Sequence, residues 1–171
     1  YSEEERHKIE WSIGAIVNGD SKRIQKFIVF YGHPKSGKST IINIIEKLFD
    51  GYCSSFDAKG LTSNNDLFST EFIKDNPLVA IQQDGDLSRI EDNTRLNSIV
   101  SHEKIMVNEK FKSKYQIRPH TFLYMATNQP VRITDSKSGV IRRLIDVVPS
   151  GNRIPVKEYN KLVKDIKFEL G

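Results

Sequence analysis

The chain is poor in the residues that build disulfide-bonded or membrane-spanning proteins. Its 171 residues include one cysteine, Cys53, so no disulfide can form within the chain. No apolar run approaches the roughly 20 residues that a membrane-spanning helix needs. With 37% hydrophobic and 28% charged residues, the composition is typical of a soluble globular domain in a reducing compartment. We therefore expect a cytoplasmic protein with no membrane partner.

The chain also lacks a large excess of either charge, and its small positive excess is concentrated in one segment. The formal net charge is +4, and residues 102–120 alone hold five basic and two acidic residues, a balance of +3. Such a segment is either a solvated hairpin or a surface that binds a polyanion. The charged residues are Lys104, Lys110, Lys112, Lys114 and Arg118 against Glu103 and Glu109.

What the sequence does contain is a phosphate-binding motif. Residues 32–40, here called the glycine-rich loop, fit the pattern G-x-x-x-x-G-K-[ST] between an apolar run at 27–31 and a helical pattern at 41–49. Loop N–H groups and a helix N-terminus attract phosphate, whereas a chance loop ahead of a helix is the plain alternative. The predicted nucleotide contacts are Gly32, His33, Pro34, Lys35, Ser36, Gly37, Lys38, Ser39 and Thr40.

Further chemistry is expected close to that loop. Lys38 is placed to reach the β- and γ-phosphates of ATP, and Ser39 to ligate Mg²⁺. An apolar run at 78–83 ends in Asp84 and Asp86. In enzymes with such a phosphate-binding loop, a buried parallel strand carries an acid at its carboxyl end, next to the metal and the attacking water. A simple Asp-Gly turn is the alternative for these two acids.

The basic segment predicts a β-hairpin with lysines at its tip. Apolar residues alternate with polar ones on both sides of Lys112-Ser113-Lys114, as in two strands. The alternating residues are Ile105 and Val107 on one side and Phe111, Tyr115 and Ile117 on the other.

Two polar signals follow the hairpin. The apolar run at 121–127 ends in Asn128, which either orients water beside the γ-phosphate or begins a turn before Gln129. Arg142 and Arg143 then precede an apolar strand at 144–148. They are either surface charge or an arginine finger for the phosphate of a neighbouring subunit.

Helical patterns alternate with these strands and predict an α/β fold with a parallel sheet covered on both faces. We expect one domain, with a lead-in helix within 1–25, a core at 26–150 and a C-terminal helix within 151–171. The abrupt start at Tyr1 suggests a piece of a longer protein. The predicted helices cover residues 3–18, 87–101 and 155–170, the last with Tyr159, Leu162, Val163 and Ile166 facing inward.

The order of these motifs resembles that of superfamily III helicases, in particular the helicase domain of phage and plasmid primase–helicases and their poxvirus-like relatives. The resemblance implies a P-loop NTPase (AAA+-like) fold with an inserted β-hairpin before the sensor strand. It further implies a bacterial-host or virus-encoded protein that binds ATP and Mg²⁺ and assembles as a hexameric ring around DNA. The matching stretches are residues 32–40, 78–86, 105–119, 122–130 and 139–143.

The same resemblance implies roles for individual residues. The hairpin would enter the channel of the ring and hold the DNA backbone, the sensor would read the γ-phosphate, and the finger would act on the next subunit. Carried over, these are Lys112 and Lys114 with Lys110 as a further DNA contact, Asn128 as the sensor, and Arg143 as the finger with Arg142 as the second candidate.

One departure from the family concerns the acid. The family has a Glu or an acidic pair at the end of the second strand, whereas this chain has Gln82 and Gln83 there. We take Asp84 as the metal ligand, because it is nearer to the strand than Asp86. The combined prediction is an ATP-dependent helicase or translocase acting on single-stranded or forked DNA. The alternatives are a P-loop small-molecule kinase and a non-hydrolysing DNA-binding module of the replisome.

Overall fold

The computed structural model describes residues 1–63, 68–85, 92–129, 139–152 and 154–170. The helices are α1 (Glu3–Val17), α2 (Ser21–Ile24), α3 (Lys38–Leu48), α4 (Ala58–Leu61), α5 (Thr94–Val100) and α6 (Val156–Glu169), with a 3-10 turn at Glu71–Ile73. The strands are β1 (Phe27–Tyr31), β2 (Cys53–Ser55), β3 (Val79–Gln82), β4 (Ile105–Val107), β5 (Tyr115–Ile117), β6 (Phe122–Thr127) and β7 (Leu144–Val147).

Five of these strands form one parallel sheet in the order β2-β3-β6-β1-β7. Strand β6 comes late in the chain but lies between β1 and β3, pairing Thr127 with Tyr31 and Met125 with Gln82. The carboxyl ends of β1, β6 and β3 are therefore neighbours at one edge of the sheet. This edge is where ligands bind in open α/β sheets.

Helices cover both faces of the sheet, as the sequence predicted. Side chains alternate along a strand, so successive residues of β1, and likewise of β6, pack into cores on opposite faces of the sheet. Because both faces are covered, all six residues of β6 are buried. One core includes Val29, Leu123 and Met125 under α4 and α5, with Leu61 and Ile99 on those helices. The other includes Ile28, Phe30 and Tyr124 under α1 and α3, with Ile9, Ile16, Ile42 and Ile45 on those helices.

The predicted lead-in helix is present as α1, and a buried polar contact fixes it to the sheet. Ser2 caps the helix by accepting from the backbone N–H of Glu5 at 3.3 Å. Near the middle of the helix, the hydroxyl groups of Ser12 and Tyr124 lie 2.7 Å apart in the core. Burial raises the pKa of the Tyr124 phenol, so it stays protonated and able to donate.

Three sequence expectations need correction. Phe111 does not continue a strand, because the hairpin is short and this residue lies in the connecting loop. Helix α5 begins at Thr94, and the predicted residues before 92 lie outside the described part of the chain. Helix α6 forms, but its apolar face is only partly covered: Tyr159 and Leu162 are 40% and 45% exposed, whereas Val163 and Ile166 are half-buried. No helix among the described residues is long and apolar enough to cross a bilayer.

The contact between α1 and β6 can be tested by a double-mutant cycle. Ser12→Ala removes the partner of a buried hydroxyl, so we expect the free energy of unfolding to fall by about 1–3 kcal/mol. Tyr124→Phe in the same chain removes that hydroxyl and should restore part of the loss. Urea unfolding of the four proteins measures the coupling, and strictly additive losses would contradict the contact.

Candidate functional site

The glycine-rich loop connects the carboxyl end of β1 to the first turn of α3, as its sequence predicted. Gly37 has φ +91°, a left-handed conformation that favours glycine, and it is the N-cap of α3. Gly32 is required for a different reason: a Cβ there would lie 3.1 Å from Pro149 Cδ and 3.3 Å from Ser36 Oγ. The loop is therefore compact, and it leads directly into the first turn of α3, where N–H groups have no partner within the helix.

Lys38 is the centre of this loop. The residue is buried and its ammonium partly so. Desolvation lowers the pKa of Lys38, and the negative charge of Asp84 opposes this shift. Four oxygens surround the three protons of the ammonium, three from the glycine-rich loop and one from Asn128, so the group links the loop to the end of β6. The acceptors are Gly32 O at 2.6 Å, His33 O at 2.9 Å, Asn128 Oδ1 at 2.9 Å and Ser36 Oγ at 3.4 Å.

Asn128 reaches Lys38 because of the strand order. It directly follows β6, and β6 is the neighbour of β1, so residues 90 positions apart in the chain meet at 2.9 Å. Thr127 shapes the turn that presents it, since its hydroxyl accepts from the backbone N–H of Gln129 at 3.1 Å. Asn128 thus lies in a turn before Gln129, as one interpretation of the sequence held. It also faces the glycine-rich loop, which is compatible with the other interpretation, a position beside a bound phosphate.

Asp84 follows β3 at the same edge of the sheet. It is exposed, and its charge acts on Lys38. The backbone N–H of Gly85 donates to Ala126 O at 2.7 Å, which fixes the segment against β6. A Cβ on Gly85 would lie 2.5 Å from Met125 Sδ, so this glycine permits a close approach.

The two glutamines at the end of β3, Gln82 and Gln83, make structural contacts. Gln82 accepts from Ala58 N at 2.8 Å and donates to Asp57 Oδ1 at 3.3 Å, which supports the start of α4. Gln83 donates to Asn43 Oδ1 on α3 at 2.8 Å. Asp86 lies outside the described residues. Asp57, which follows β2 at the same edge, caps α4, so Asp84 is the acid at this edge whose charge acts on Lys38.

The metal-ligand candidates are hard oxygen donors near the first turn of α3. Ser39 is exposed there, beside the loop. The next residue, Thr40, has its hydroxyl 2.8 Å from the phenol of Tyr159 on α6. No group of three or more His, Cys, Asp or Glu among the described residues is placed to hold a metal ion by itself.

The arginine pair lies at the opposite edge of the sheet. The carbonyl of Arg143 accepts from Phe27 N at 2.9 Å, at the amino end of β1. Its guanidinium is buried and donates to Ser101 Oγ at 2.7 and 3.0 Å and to Gly139 O at 3.0 Å. Arg142 is exposed, and its carbonyl accepts from Lys26. The sequence favoured Arg143 as the arginine finger, but of the two candidates it is Arg142 that is exposed.

The predicted hairpin is present as the antiparallel pair β4–β5. Glu109, in the loop between the strands, is buried and accepts from Tyr115 Oη at 2.6 Å and from Lys112 Nζ at 2.7 Å. These two bonds lower the pKa of Glu109, and the bond from the phenol raises the pKa of Tyr115 to about 12. The side chains of Lys110 and Lys114 make no ion pair or hydrogen bond with any residue that the structure describes.

Several residues of this site were missed by sequence reasoning. Glu109 was counted only as charge, Ser101 was not considered, and Gly85 was treated as a turn glycine. The i, i+3 spacing of Glu109 and Lys112 is a signal that could have indicated their ion pair. The contacts of Ser101 and Gly85 join distant parts of the chain, so no local pattern indicates them.

Comparison with known proteins places the chain in a family. A family model described as "Family of unknown function (DUF5906)" matches residues 30–143, two thirds of the chain. The chain therefore belongs to this family. The matched segment begins in β1 and ends at Arg143, so it contains the glycine-rich loop, Asp84, the hairpin and Asn128. No curated protein matches the sequence.

Solved structures of the NrS-1 C-terminal region share the fold. One apo structure of this region matches at a TM-score of 0.62 and 18% identity, over 91% of this chain and 39% of that one. The apo structure of residues 305–718 matches at the same TM-score and identity, over 94% and 41% of the two chains. The present chain thus spans about two fifths of the NrS-1 region.

The close approach at Gly85 can be tested by adding one methyl group. Gly85→Ala pushes a Cβ against the buried Met125, so we expect the free energy of unfolding to fall by about 1–3 kcal/mol. Gly14→Ala is the matched control, because Gly14 lies in α1 with no atom within 4 Å of an added Cβ. That change should leave stability the same or raise it by up to about 1 kcal/mol. Equal urea midpoints for the two variants would contradict the assignment.

Proposed function

We propose that this chain is the ATPase core of a DNA helicase or translocase that acts in phage or plasmid replication. The observation that carries the proposal is the bond between Lys38 and Asn128 at the carboxyl edge of the sheet, with Asp84 beside them. This arrangement joins a phosphate-binding loop, a polar sensor and an acid, which are the parts that phosphoryl transfer needs. A P-loop NTPase fold of the AAA+ type is part of the proposal, supported by the strand order.

The donors of the loop suit a triphosphate. The free N–H groups of α3 and the ammonium of Lys38 would bind the phosphates and offset their charge. Ser39 and Asp84 would hold Mg²⁺, which is commonly bound by one or two carboxylates together with substrate phosphates. Bound there, the ion would neutralise charge between the β- and γ-phosphates. Asn128 already faces the ammonium, so it is placed to sense whatever anion Lys38 binds.

The arginine positions favour hydrolysis between two copies of the chain. Arg142 and Arg143 precede β7 at the amino edge, whereas the loop follows β1 at the carboxyl edge, roughly 15 Å away along a five-residue strand. Neither side chain is therefore well placed to contact a phosphate bound at the glycine-rich loop of its own chain. In a ring, the exposed Arg142 would reach the site of the next copy, while Arg143 would support it from within the chain.

Lys38 tests the proposal directly. Lys38→Ala should weaken ATP binding at least about 10-fold and abolish DNA-stimulated ATP turnover, because the main positive charge of the loop is lost. Lys47→Ala, at the exposed end of the same helix, is the matched control and should keep both properties. Calorimetry and steady-state phosphate release measure the two effects.

The alternatives predict different outcomes in the same experiment. A non-hydrolysing replisome module would bind ATP through Lys38 but release no more phosphate than Lys38→Ala. The structural use of Gln82 and Gln83 is the observation that favours this alternative. A small-molecule kinase would need a small acceptor for turnover and would not respond to DNA.

Mixing two inactive variants tests the shared site. Arg142→Ala should retain ATP binding but lose turnover by about 10³-fold or more, the size of an arginine-finger effect. An equal mixture of Arg142→Ala and Lys38→Ala should recover activity, since random assembly leaves roughly a quarter of the interfaces intact. Arg23→Ala, another exposed arginine, is the control and should behave as wild type. Turnover by Arg142→Ala at the wild-type level would exclude this residue as the finger.

A further inference from the structure

Phe111 is an aromatic side chain that the fold exposes completely. It lies in the loop between β4 and β5, and its side chain is exposed at 104% of the reference area, so it contacts nothing else in the described chain. The phenylalanines on the strands of the sheet, Phe27, Phe30 and Phe122, are instead buried. A fully solvated Phe contributes nothing to the core, so its ring is free to contact a partner outside the fold.

The backbone holds Phe111 in an uncommon conformation. Its φ is +65°, in the left-handed region where a residue with a bulky side chain is a genuine outlier. The loop is kept in this shape by Glu109, which accepts from Lys112 and Tyr115, and by the backbone bond from Lys112 N to Glu109 O at 3.3 Å. The aromatic ring is thus presented by a braced turn, which lowers the entropy lost on binding.

The charges of the loop that carries Phe111 limit what can bind the ring. Lys110 and Lys114 carry positive charge that no described residue compensates, whereas the charge of Lys112 is offset by Glu109. An apolar protein surface would have to desolvate these ammonium groups at a cost. A flexible polyanion with aromatic bases matches both features, because its phosphates attract the lysines and its bases present flat faces to the ring.

We propose that Phe111 stacks on an unpaired base of single-stranded DNA while Lys110 and Lys114 contact the flanking phosphates. Glu109 is the positioning residue, since it braces the turn that presents the ring. The proposal rests on the proposed function, in which the hairpin contacts DNA, and adds a base contact that selects single strands. Bases in a duplex are already stacked on both faces, so a ring at a hairpin tip can use only unpaired ones. Such stacking is tolerant of sequence, as a translocase requires.

The experiment compares a dT oligonucleotide with an abasic oligonucleotide of the same length, which keeps the phosphates and lacks the bases. Wild-type protein should bind the dT strand about 10-fold more tightly, the size expected for one stacked base. Phe111→Ala should lose this preference by weakening dT binding alone. Phe111→Trp should retain the preference, and its fluorescence should be quenched by dT in a Trp11→Phe background. Fluorescence anisotropy of labelled strands measures all affinities.

Two controls separate stacking from charge. Phe168→Ala removes another exposed phenylalanine, on α6, and should bind both strands as wild type does. The double variant Lys110→Ala/Lys114→Ala should weaken both strands equally and reduce the salt dependence of binding by a slope of about 1.4, two phosphate contacts at ~0.7 each.

The possible failures are distinguishable. If Phe111→Ala weakens binding of the dT and abasic strands equally, the stacking proposal is overturned and the DNA-binding hairpin stands. The same conclusion follows if Phe111→Ala weakens neither strand while the lysine double variant weakens both. If the lysine double variant also leaves both affinities unchanged, the hairpin does not bind DNA and that part of the proposed function fails. A change in oligomer mass with Phe111→Ala, without a change in dT affinity, would instead assign the ring to a contact between copies of this chain.

Discussion

The site depends on the partly buried ammonium group of one lysine, Lys38. Lys38 donates to the carbonyls of Gly32 and His33 and to the side chain of Asn128, so a single charge connects the glycine-rich loop to strand β6. In a partly desolvated setting these bonds are stronger than in water, and an unpaired ammonium would be costly. Any anion that binds the loop must compete for the protons of Lys38. In the proposed function, the occupancy of the loop would thereby be communicated to Asn128 and to the end of β6.

The strand order makes this connection possible. Strand β6 lies between β1 and β3, so its carboxyl end is flanked by the glycine-rich loop on one side and by Asp84 on the other. Gly85 brings the acid-bearing segment close to β6, because only a residue without a side chain fits against Met125. Arg142 and Arg143 are at the far edge of the same sheet, which separates two halves of the proposed site by the length of a strand. A second copy of the chain would bring the halves together.

The hairpin shows how a small network can organise an otherwise exposed loop. Glu109 is the one carboxylate that joins both sides of the loop, since it accepts from the phenol of Tyr115 and from Lys112. This pairing offsets the charge of Lys112 and leaves the charges of Lys110 and Lys114 without an ion-pair partner in the described chain. It also braces the loop in which Phe111 is exposed. The distribution of charge on the tip is therefore different from what a count of lysines suggests. Helix α6 also exposes apolar residues, among them Val156 and Leu162.

The amino-acid sequence alone determined the parallel sheet, the glycine-rich loop and the hairpin, because each has a local pattern. Apolar runs flank residues 32–40, and β-type alternation extends over residues 105–117. Only the tertiary structure decided that Lys38 bonds to Asn128, that Arg143 is buried on Ser101 while Arg142 faces outward, and that Phe111 leaves the strand. These outcomes depend on strand order, burial and backbone φ. Such quantities arise from contacts between residues far apart in the chain, so local periodicity and motif spacing carry no information about them.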